Sequence, residues 1–282
     1  MMGRLRNYLL DLRDRQHIAI ALARGAAMMN ARNVDLTAPS TWEFSGFSQN
    51  GEDGILDVLR KQLGSTNRYF MEIGAGNGIE NNTAWLALAE KHSGIMIEGD
   101  ARRFARAARM ISGANLGVEC HHLFVVPEIA AQVASLALQR DPDVLSVDID
   151  GCDFYVVRAL LDAGVRPRIL VVEYNSVFGP ERNATIEYQE HFDFAVAHPT
   201  QLYYGVSIAG WRSYLEKRNY RFVTVERNGV NAFFVDPVHF DPSFLQKLRG
   251  LAFAENFYQL SKFRVPSGQQ FSLIASQRYV SI

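Results

Sequence analysis

Short apolar runs alternate with amphipathic stretches through the middle of the chain, from residue 69 to residue 174. The last of these runs is almost wholly apolar, as expected for a strand that is buried on both faces. Buried strands that alternate with helices predict a parallel sheet with helices on both faces. The strands are predicted at 69–73, 94–97, 118–125, 144–149 and 168–174, and the helices at 80–91, at 101–111, from Pro127 onwards and around 154–161.

The alternation stops after residue 175. Residues 176–206 are rich in aromatic side chains and have no clean period, which predicts an insertion over the edge of the sheet that could serve as a substrate lid. Beyond it, Asn228-Gly229 joins two short apolar runs and is a strong signal of an antiparallel hairpin. We therefore expect a mostly parallel, seven-stranded sheet that ends in an antiparallel hairpin. The last helix is predicted at 207–219 and the last strands at 220–226 and 230–235.

The first residues carry a different pattern. Leu5, Tyr8, Leu9 and Leu12 recur at i, i+3, i+4 and i+7, the spacing of an amphipathic helix. We expect residues 1–43 to form a helical extension and residues 44–282 to form one domain. The helix would pack on that domain or on another subunit, and a homo-oligomer is compatible with it. A helix that lies loosely on a membrane surface, favoured by Arg4, Arg6, Arg13 and Arg15, is the alternative.

Composition narrows the class of protein. The 282 residues are 48% hydrophobic and 21% charged, which is ordinary for a globular protein, and the net charge of −1 argues against a nucleic-acid partner. No run reaches the roughly 18 apolar residues of a membrane span, so we expect no integral membrane segment. The two cysteines, Cys120 and Cys152, fit a reducing, cytoplasmic compartment.

A glycine-rich turn follows the first predicted strand. Gly74, Gly76 and Gly78 alternate with other residues, and glycines here let the backbone turn sharply and approach a ligand closely. A dinucleotide-binding turn has the spacing Gly-x-Gly-x-x-Gly, whereas Ile79 stands at the last of those positions. The turn alone is weak evidence for any particular ligand.

Two carboxylates near this turn indicate which kind of ligand it binds. Glu72 stands two residues before the first glycine, where it can meet an ammonium group and would repel a pyrophosphate. Glu98 ends the second strand, where an acid accepts hydrogen bonds from ribose hydroxyls. A phosphate-free nucleoside with an amino-acid tail is S-adenosylmethionine (SAM), so we predict a methyltransferase. Asn77 and Gly99, within the two turns, and Asp148 are included among the cofactor-binding residues.

Oxygen ligands cluster at the ends of the fourth and fifth predicted strands. Asp148 and Asp150 alternate along one strand, as Glu173 and Asn175 do along the next, so each pair should point the same way. Asp148, Asp150 and Glu173 are candidate catalytic residues, and Asp150, Glu173 and Asn175 are candidate ligands of Mg²⁺ or Mn²⁺. Such a metal would activate an alcohol nucleophile; a carboxylate acting as general base without metal is the alternative.

Seven separate segments carry recognisable motifs in one order along the chain: 47–55, 72–78, 80–83, 97–100, 146–153, 172–175 and 204–207. Together they resemble the FkbM-type methyltransferases over roughly residues 44–235. The resemblance implies a Rossmann-like class I fold and a SAM-dependent O-methyltransferase that often acts on sugar hydroxyls. It also implies that Gln49 and Asn82 lie near the cofactor. The chain lacks a histidine three residues beyond either aspartate, where related macrolide-sugar enzymes have one.

We therefore expect the acceptor to be a hydroxyl of a sugar, glycan or glycosylated natural product. A non-sugar small molecule, lipid or peptide is the alternative acceptor, and a catalytically silent nucleotide-binding module is the alternative class. Any of four histidines could be the general base: His121, His122, His191 and His198. Aromatic residues that could stack on sugar rings are Tyr188, Phe192, Phe194, Tyr203, Tyr204 and Trp211.

Overall fold

The computed structural model describes residues 2–282, apart from the side chains of residues 2–9 and 11. Helices and strands alternate in this part as the hydrophobic pattern predicts. The strands are β1 Tyr69–Ile73, β2 Ser93–Glu98, β3 Val118–His122, β4 Val144–Val147, β5 Ile169–Glu173, β6 Ala184–Ile186, β7 Arg221–Val225, β8 Asn231–Val235 and β9 Tyr279–Ser281. The helices are α1 Met2–Ala31, α2 Glu52–Lys61, α3 Ala84–Leu88, α4 Ala101–Ser112, α5 Ala130–Leu136, α6 Asp153–Asp162, α7 Phe194–Ala197, α8 Ile208–Lys217, α9 Pro242–Lys247, α10 Phe257–Phe263 and α11 Ser267–Ser272.

Seven strands form the central sheet in the order β3-β2-β1-β4-β5-β8-β7. The first five strands pair in parallel, and β8 runs antiparallel to both β5 and β7. The predicted fold, a Rossmann-like sheet closed by an antiparallel hairpin, is therefore confirmed. Because β2 and β4 flank β1, the carboxyl ends of all three open on the same side of the sheet, where ligands bind in such folds.

Alternate residues of the central strands β1, β2, β4, β5 and β8 enter two separate cores. On β1, Met71 packs in one core with α5, α6 and α8, whereas Phe70 packs in the other with α2, α3 and α4. All five residues of β5 are buried, as its apolar sequence predicts. Both faces of the sheet are thus covered by helices, which keeps the strand ends rigid where they position the site.

Two predicted elements, a strand and a helix, differ most in length from the observed ones. The predicted strand at 118–125 ends at His122, because Leu123 and Phe124 leave the sheet and line a cleft. The predicted helix at 80–91 is reduced to α3, since the asparagines before it form turns. Asn81, for example, donates from Nδ2 to the Ala75 carbonyl at 2.8 Å. In both places the ends of the elements carry residues that face the cleft.

Helix α1 packs against the second core. Gly25 lies against the Trp85 ring, so closely that a β-carbon there would be 2.3 Å from a ring atom. The Arg24 guanidinium donates to the Gly46 carbonyl at 2.6 Å. Leu12 is 44% exposed, whereas the side chains of Leu5, Tyr8 and Leu9, on which the amphipathic pattern depends, lie outside the described residues. No helix in the described part is long and apolar enough to cross a bilayer.

The segment 176–206 and the C-terminal tail pack on each other. Strand β6 pairs antiparallel with β9, which forms a small second sheet beside the main one. Helix α7 and the loops around it cover one side of the cleft, and α10 of the tail covers another part. The insertion was predicted from the loss of periodicity, whereas its pairing with the tail was not predicted.

Candidate active site

The glycine turn brings the ends of β1 and β4 together. Gly74 has a φ of +87°, and a β-carbon there would lie 1.7 Å from the Asp148 carbonyl oxygen, so only glycine fits. Gly76 also has a positive φ, of +57°, but faces open space. Gly78 lies against Ala107 of α4 and does not line the cleft. Gly74 therefore allows β1 and β4 to approach closely, Gly78 allows α4 to pack on the turn, and Gly76 leaves open space beside the backbone.

Glu98 is tied to the glycine turn by backbone hydrogen bonds. Its Oε2 accepts from the Gly76 N–H at 2.7 Å and its Oε1 from the Asp100 N–H at 2.7 Å. The side chain is only 8% exposed, yet it lines the cleft. Because each carboxylate oxygen can accept more than one hydrogen bond, Glu98 can still receive two hydroxyl groups.

Glu72 is a buried carboxyl group at the base of the cleft. It is 1% exposed, and its Oε2 has no hydrogen-bond partner among the described residues. Burial raises the pKa of Glu72 to about 7, although the neighbouring Thr83 and Ser146 lower it. Asn82 donates to the Ser146 hydroxyl at 3.1 Å beside it. A cation in the cleft would stabilise the charged form of Glu72.

One cleft of about 1260 Å³ joins these groups to the predicted catalytic residues. Of the residues predicted to bind the cofactor, to catalyse or to bind a metal, Gly78 and Asn175 do not line it. The exposed Gln49 lines it from the loop before α2, where the Glu52 carboxylate holds Asn50 and Asn231 by hydrogen bonds of 2.7–3.0 Å. The predicted residues that do line the cleft are Gln49, Glu72, Gly74, Gly76, Asn77, Asn82, Glu98, Gly99, Asp148, Asp150 and Glu173.

Three carboxylates converge in this cleft. One oxygen from each of Asp148, Asp150 and Glu173 lies within 4.8 Å of the others. Burial raises the pKa of all three carboxyl groups, and mutual repulsion raises those of Asp148 and Glu173 further. The Oε2 of Glu173 is buried without a hydrogen-bond partner among the described residues. A cation or a shared proton would relieve the repulsion within this group.

The loop after β4, not the strand, brings the two aspartates together. Strand β4 ends at Val147, before both aspartates, so the predicted alternation along a strand to residue 149 is wrong here. Asp150 has a φ of +53°, a left-handed conformation that aspartate tolerates better than most residues. Asp153 holds the loop, because its carboxylate accepts from the Ile149 and Gly151 N–H groups at 3.0 Å each.

Asn175, a predicted metal ligand, makes side-chain hydrogen bonds to backbone groups of nearby loops. The side chain is fully buried, and its Nδ2 donates to the carbonyls of Leu202 at 2.7 Å and Tyr204 at 3.1 Å. Its Oδ1 accepts from the Val177 N–H at 3.1 Å. The structure therefore does not bring Asn175 to the carboxylates as a ligand; it anchors the loop that follows β5.

Tyr204 is a residue of the site whose role the sequence did not reveal. Its side chain is 4% exposed and lines the cleft near the three carboxylates. Burial raises the pKa of Tyr204 well above its usual range, and the charges of Glu173, Asp150 and Asp148 raise it further. The phenol is thus protonated and can act as a hydrogen-bond donor, but not as a base.

The predicted aromatic and histidine residues divide between the cleft and the core. Trp211 and Tyr203 are buried and do not line the cleft, so they cannot stack on a ligand there. Of the four histidines, His191 alone lines the cleft. Partly or largely exposed aromatic residues that line it are Phe124, Tyr188, Phe192, Phe194, Tyr258 and Phe263.

Comparisons with solved structures find methyltransferases at low identity. A methyltransferase from Geobacter sulfurreducens is 16% identical, with a TM-score of 0.42 over 77% of this chain and 87% of that chain. An O-methyltransferase involved in tomaymycin synthesis from Streptomyces achromogenes, solved with SAM, is 18% identical, with a TM-score of 0.43 over 76% and 87%. An O-methyltransferase from Bacillus cereus, solved with SAH, is 17% identical, with a TM-score of 0.43 over 78% and 89%.

No family model matches the chain, and no curated protein matches it. The function proposed below therefore rests on the geometry of the cleft.

Proposed function

We propose that this protein is a SAM-dependent O-methyltransferase that acts on a hydroxyl group of a sugar or glycan. The observation that carries the proposal is the pairing of Glu72 and Glu98 around the turn at Gly74–Gly78, within one cleft. Glu98 is suited to the ribose hydroxyls, and the buried Glu72 is suited to the ammonium of the methionine part. Glu72, next to the glycine turn, would repel a diphosphate, which disfavours a dinucleotide.

The carboxylate cluster supports oxygen as the nucleophile. An alcohol attacks a methyl group poorly until its proton leaves, and raised pKa values make the carboxylates of Asp150 and Glu173 better bases than free carboxylates. When one of these carboxylates takes the proton of the alcohol, the alcohol oxygen can attack the methyl carbon of the sulfonium. The carbon–sulfur bond breaks as the new bond forms.

A divalent metal fits the same residues. Three carboxylates offer oxygens within 4.8 Å of one another, and the buried Oε2 of Glu173 has no donor among the described residues. We propose Asp148, Asp150 and Glu173 as the ligands of Mg²⁺ or Mn²⁺, which prefer oxygen ligands. Such an ion would lower the pKa of a bound alcohol.

A sugar acceptor is favoured by the aromatic walls of the cleft. Phe124 and Tyr258 are each 55% exposed and line the cleft, as do Phe192 and Phe194 from the insertion. Exposed aromatic faces can pack on the apolar faces of sugar rings, and Glu190 and Gln201 on the same wall offer hydrogen-bond acceptors and donors. These residues support a glycan acceptor over a small phenol.

Loss of the Glu98 carboxylate is expected to weaken SAM binding selectively. Glu98→Ala removes hydrogen bonds to a charged group, each of which contributes about 1.5–3 kcal/mol, so the dissociation constant should rise about 10- to 100-fold. Isothermal calorimetry with SAM measures this change. Glu119→Ala, an exposed glutamate on the neighbouring strand and outside the cleft, is the matched control and should bind normally.

Two results would contradict the proposed function. One is an absence of SAM binding to the wild-type protein at millimolar cofactor. The other is unchanged SAM affinity in Glu98→Ala, since the ribose hydroxyls would then bind elsewhere. The melting temperature of Glu98→Ala must be measured alongside, because Glu98 also accepts from the backbone of Gly76 and Asp100.

A further inference from the structure

A chain of buried amides runs from the loop after β5 to the Tyr204 hydroxyl. Its members are Asn175, Gln259 and Tyr204, whose side chains are 0%, 9% and 4% exposed. Gln259 lies on α10, in the C-terminal tail outside the family resemblance. Because water does not reach these groups freely, each donor must face an acceptor, and the chain of contacts fixes which way every proton points.

The orientation of Asn175 is set by two backbone carbonyls. Its amide nitrogen faces the carbonyl oxygens of Leu202 at 2.7 Å and Tyr204 at 3.1 Å, and carbonyl oxygens can only accept. The Asn175 Oδ1 must therefore lie on the opposite side of the amide. There it accepts from the Val177 N–H and lies 3.4 Å from the side-chain nitrogen of Gln259.

The orientation of Gln259 follows from that of Asn175. Only its Nε2 can donate to the Asn175 oxygen, and the same nitrogen lies 3.1 Å from the Tyr204 hydroxyl oxygen. The other end of the amide agrees independently. The Ser176 hydroxyl accepts from the Asn256 N–H at 2.9 Å, which leaves its own proton to donate to Gln259 Oε1 at 3.2 Å.

The Tyr204 oxygen is consequently an acceptor from Gln259, so its own proton points elsewhere. Among the described residues, no oxygen or nitrogen accepts a hydrogen bond from this hydroxyl. Tyr204 lines the same cleft as Glu173 and Asp150. A buried O–H donor without an acceptor among the described residues therefore belongs to a side chain that lines the cleft together with the proposed catalytic carboxylates.

We infer that Tyr204 donates a hydrogen bond to the nucleophilic atom of the acceptor and thereby selects oxygen over nitrogen nucleophiles. This inference rests on the proposed function. An alcohol oxygen has two lone pairs: one can accept from Tyr204 while the other attacks the methyl carbon. A neutral amine has one lone pair, and a hydrogen bond from Tyr204 would occupy the pair that it needs for attack.

The reaction balances with the residues present. The acceptor O–H gives its proton to a carboxylate of the cluster, the new C–O bond forms, and the C–S bond breaks with its electron pair left on sulfur. SAH and a methyl ether result. The Tyr204 proton stays on Tyr204 and stabilises the negative charge that develops on the oxygen. Gln259 acts on the acceptor through its hydrogen bond to the Tyr204 hydroxyl and is a positioning residue.

A double-mutant cycle tests the inference. Tyr204→Phe should lower kcat/KM for hydroxyl acceptors about 10- to 100-fold, the effect of one hydrogen bond to a developing charge. Gln259→Met should lower it less in the wild-type background and have no further effect in the Tyr204→Phe background. Additive losses would overturn the inference, because they would mean that Gln259 acts only through the fold. Release of SAH is measured with methyl glycosides of glucose, galactose, mannose and rhamnose.

Tyr203→Phe is the matched control. Tyr203 is the adjacent buried tyrosine, but its hydroxyl donates to the Arg278 carbonyl at 2.6 Å and it does not line the cleft. Loss of the Tyr203 hydroxyl should leave turnover unchanged.

Amine acceptors test the selection of oxygen. In Tyr204→Phe, turnover of the aminodeoxy counterparts of the same glycosides should rise relative to turnover of the hydroxyl forms. An unchanged ratio of amine to hydroxyl turnover would overturn the selection of oxygen.

A neutron structure of the deuterium-exchanged protein with SAH tests the proton direction without any acceptor. A deuteron on the Tyr204 oxygen that points into the cleft supports the inference, and one directed at Gln259 overturns it. Failure of the wild-type protein to bind SAM would instead count against the proposed function, so the two failures are distinguishable.

Discussion

Replacing Glu173 with glutamine is expected to lower turnover by about a thousandfold, within the range that a positioned general base or metal ligand contributes. Glutamine keeps the shape of the side chain but can neither take a proton nor carry the charge that holds a cation. SAM affinity should stay near that of the wild-type protein, because Glu173 lies on β5 and not beside the glycine turn. Release of SAH and calorimetry measure the two quantities separately.

Removal of metal distinguishes whether the Glu173 carboxylate binds a metal ion or acts as a general base without metal. If the cluster holds a divalent ion, EDTA should abolish turnover and added Mg²⁺ or Mn²⁺ should restore it in the wild-type protein but not in Glu173→Gln. If EDTA has no effect, Glu173 is a metal-free base. Glu187→Gln, an exposed acid outside the cleft, is the control for a change in net charge. Wild-type turnover in Glu173→Gln would contradict both uses.

Much of the fold follows from the chain's hydrophobic pattern, because buried parallel strands have a simple signature. The seven strands of the main sheet and the hairpin at Asn228-Gly229 required no information beyond apolar runs and turn residues, whereas the order of the strands comes from the structure. The ends of the elements were less predictable. Leu123 and Phe124 are apolar like a strand, yet their side chains face the cleft, so hydrophobicity alone could not separate sheet from ligand surface.

The cofactor side of the site was more accessible to prediction than the acceptor side. Glu72 and Glu98 lie at the carboxyl ends of the paired strands β1 and β2, and Gly74 directly follows β1. Their positions within these elements therefore bring them together. Tyr204 and Gln259 are 55 residues apart, and their contact depends on how the C-terminal tail packs on the insertion. No local pattern encodes that packing.

The carboxylate cluster is an intermediate case. Its residues were predicted from strand ends, but the assumed alternation along a strand was wrong for both pairs of residues. Asp148 and Asp150 meet Glu173 because a loop with a left-handed Asp150 is held by Asp153. Asn175 was assigned to the cluster by the same alternation and instead anchors a loop. Alternation predicts the direction of a side chain only within a strand. Strand β4 ends before Asp148 and Asp150, and β5 ends before Asn175.

Gly74→Ala is expected to destabilise the protein by more than about 3 kcal/mol, as severe backbone strain does. The new methyl group would lie 1.7 Å from the Asp148 carbonyl oxygen, and a φ of +87° is itself unfavourable for alanine. Both partners are backbone at the ends of adjacent strands, so neither can rotate away. Urea unfolding gives the change in stability, and calorimetry gives the loss of SAM affinity.

Gly76→Ala separates the clash from the strain of the left-handed backbone. Gly76 also has a positive φ, but a β-carbon there would meet no atom within 4 Å. Its replacement should cost only about 1–2 kcal/mol, the penalty of the conformation alone. Equal losses in the two variants would mean that β1 and β4 can move apart at Gly74. The close approach of these strands would then not be what holds Asp148, and with it the carboxylate cluster, next to the cofactor turn.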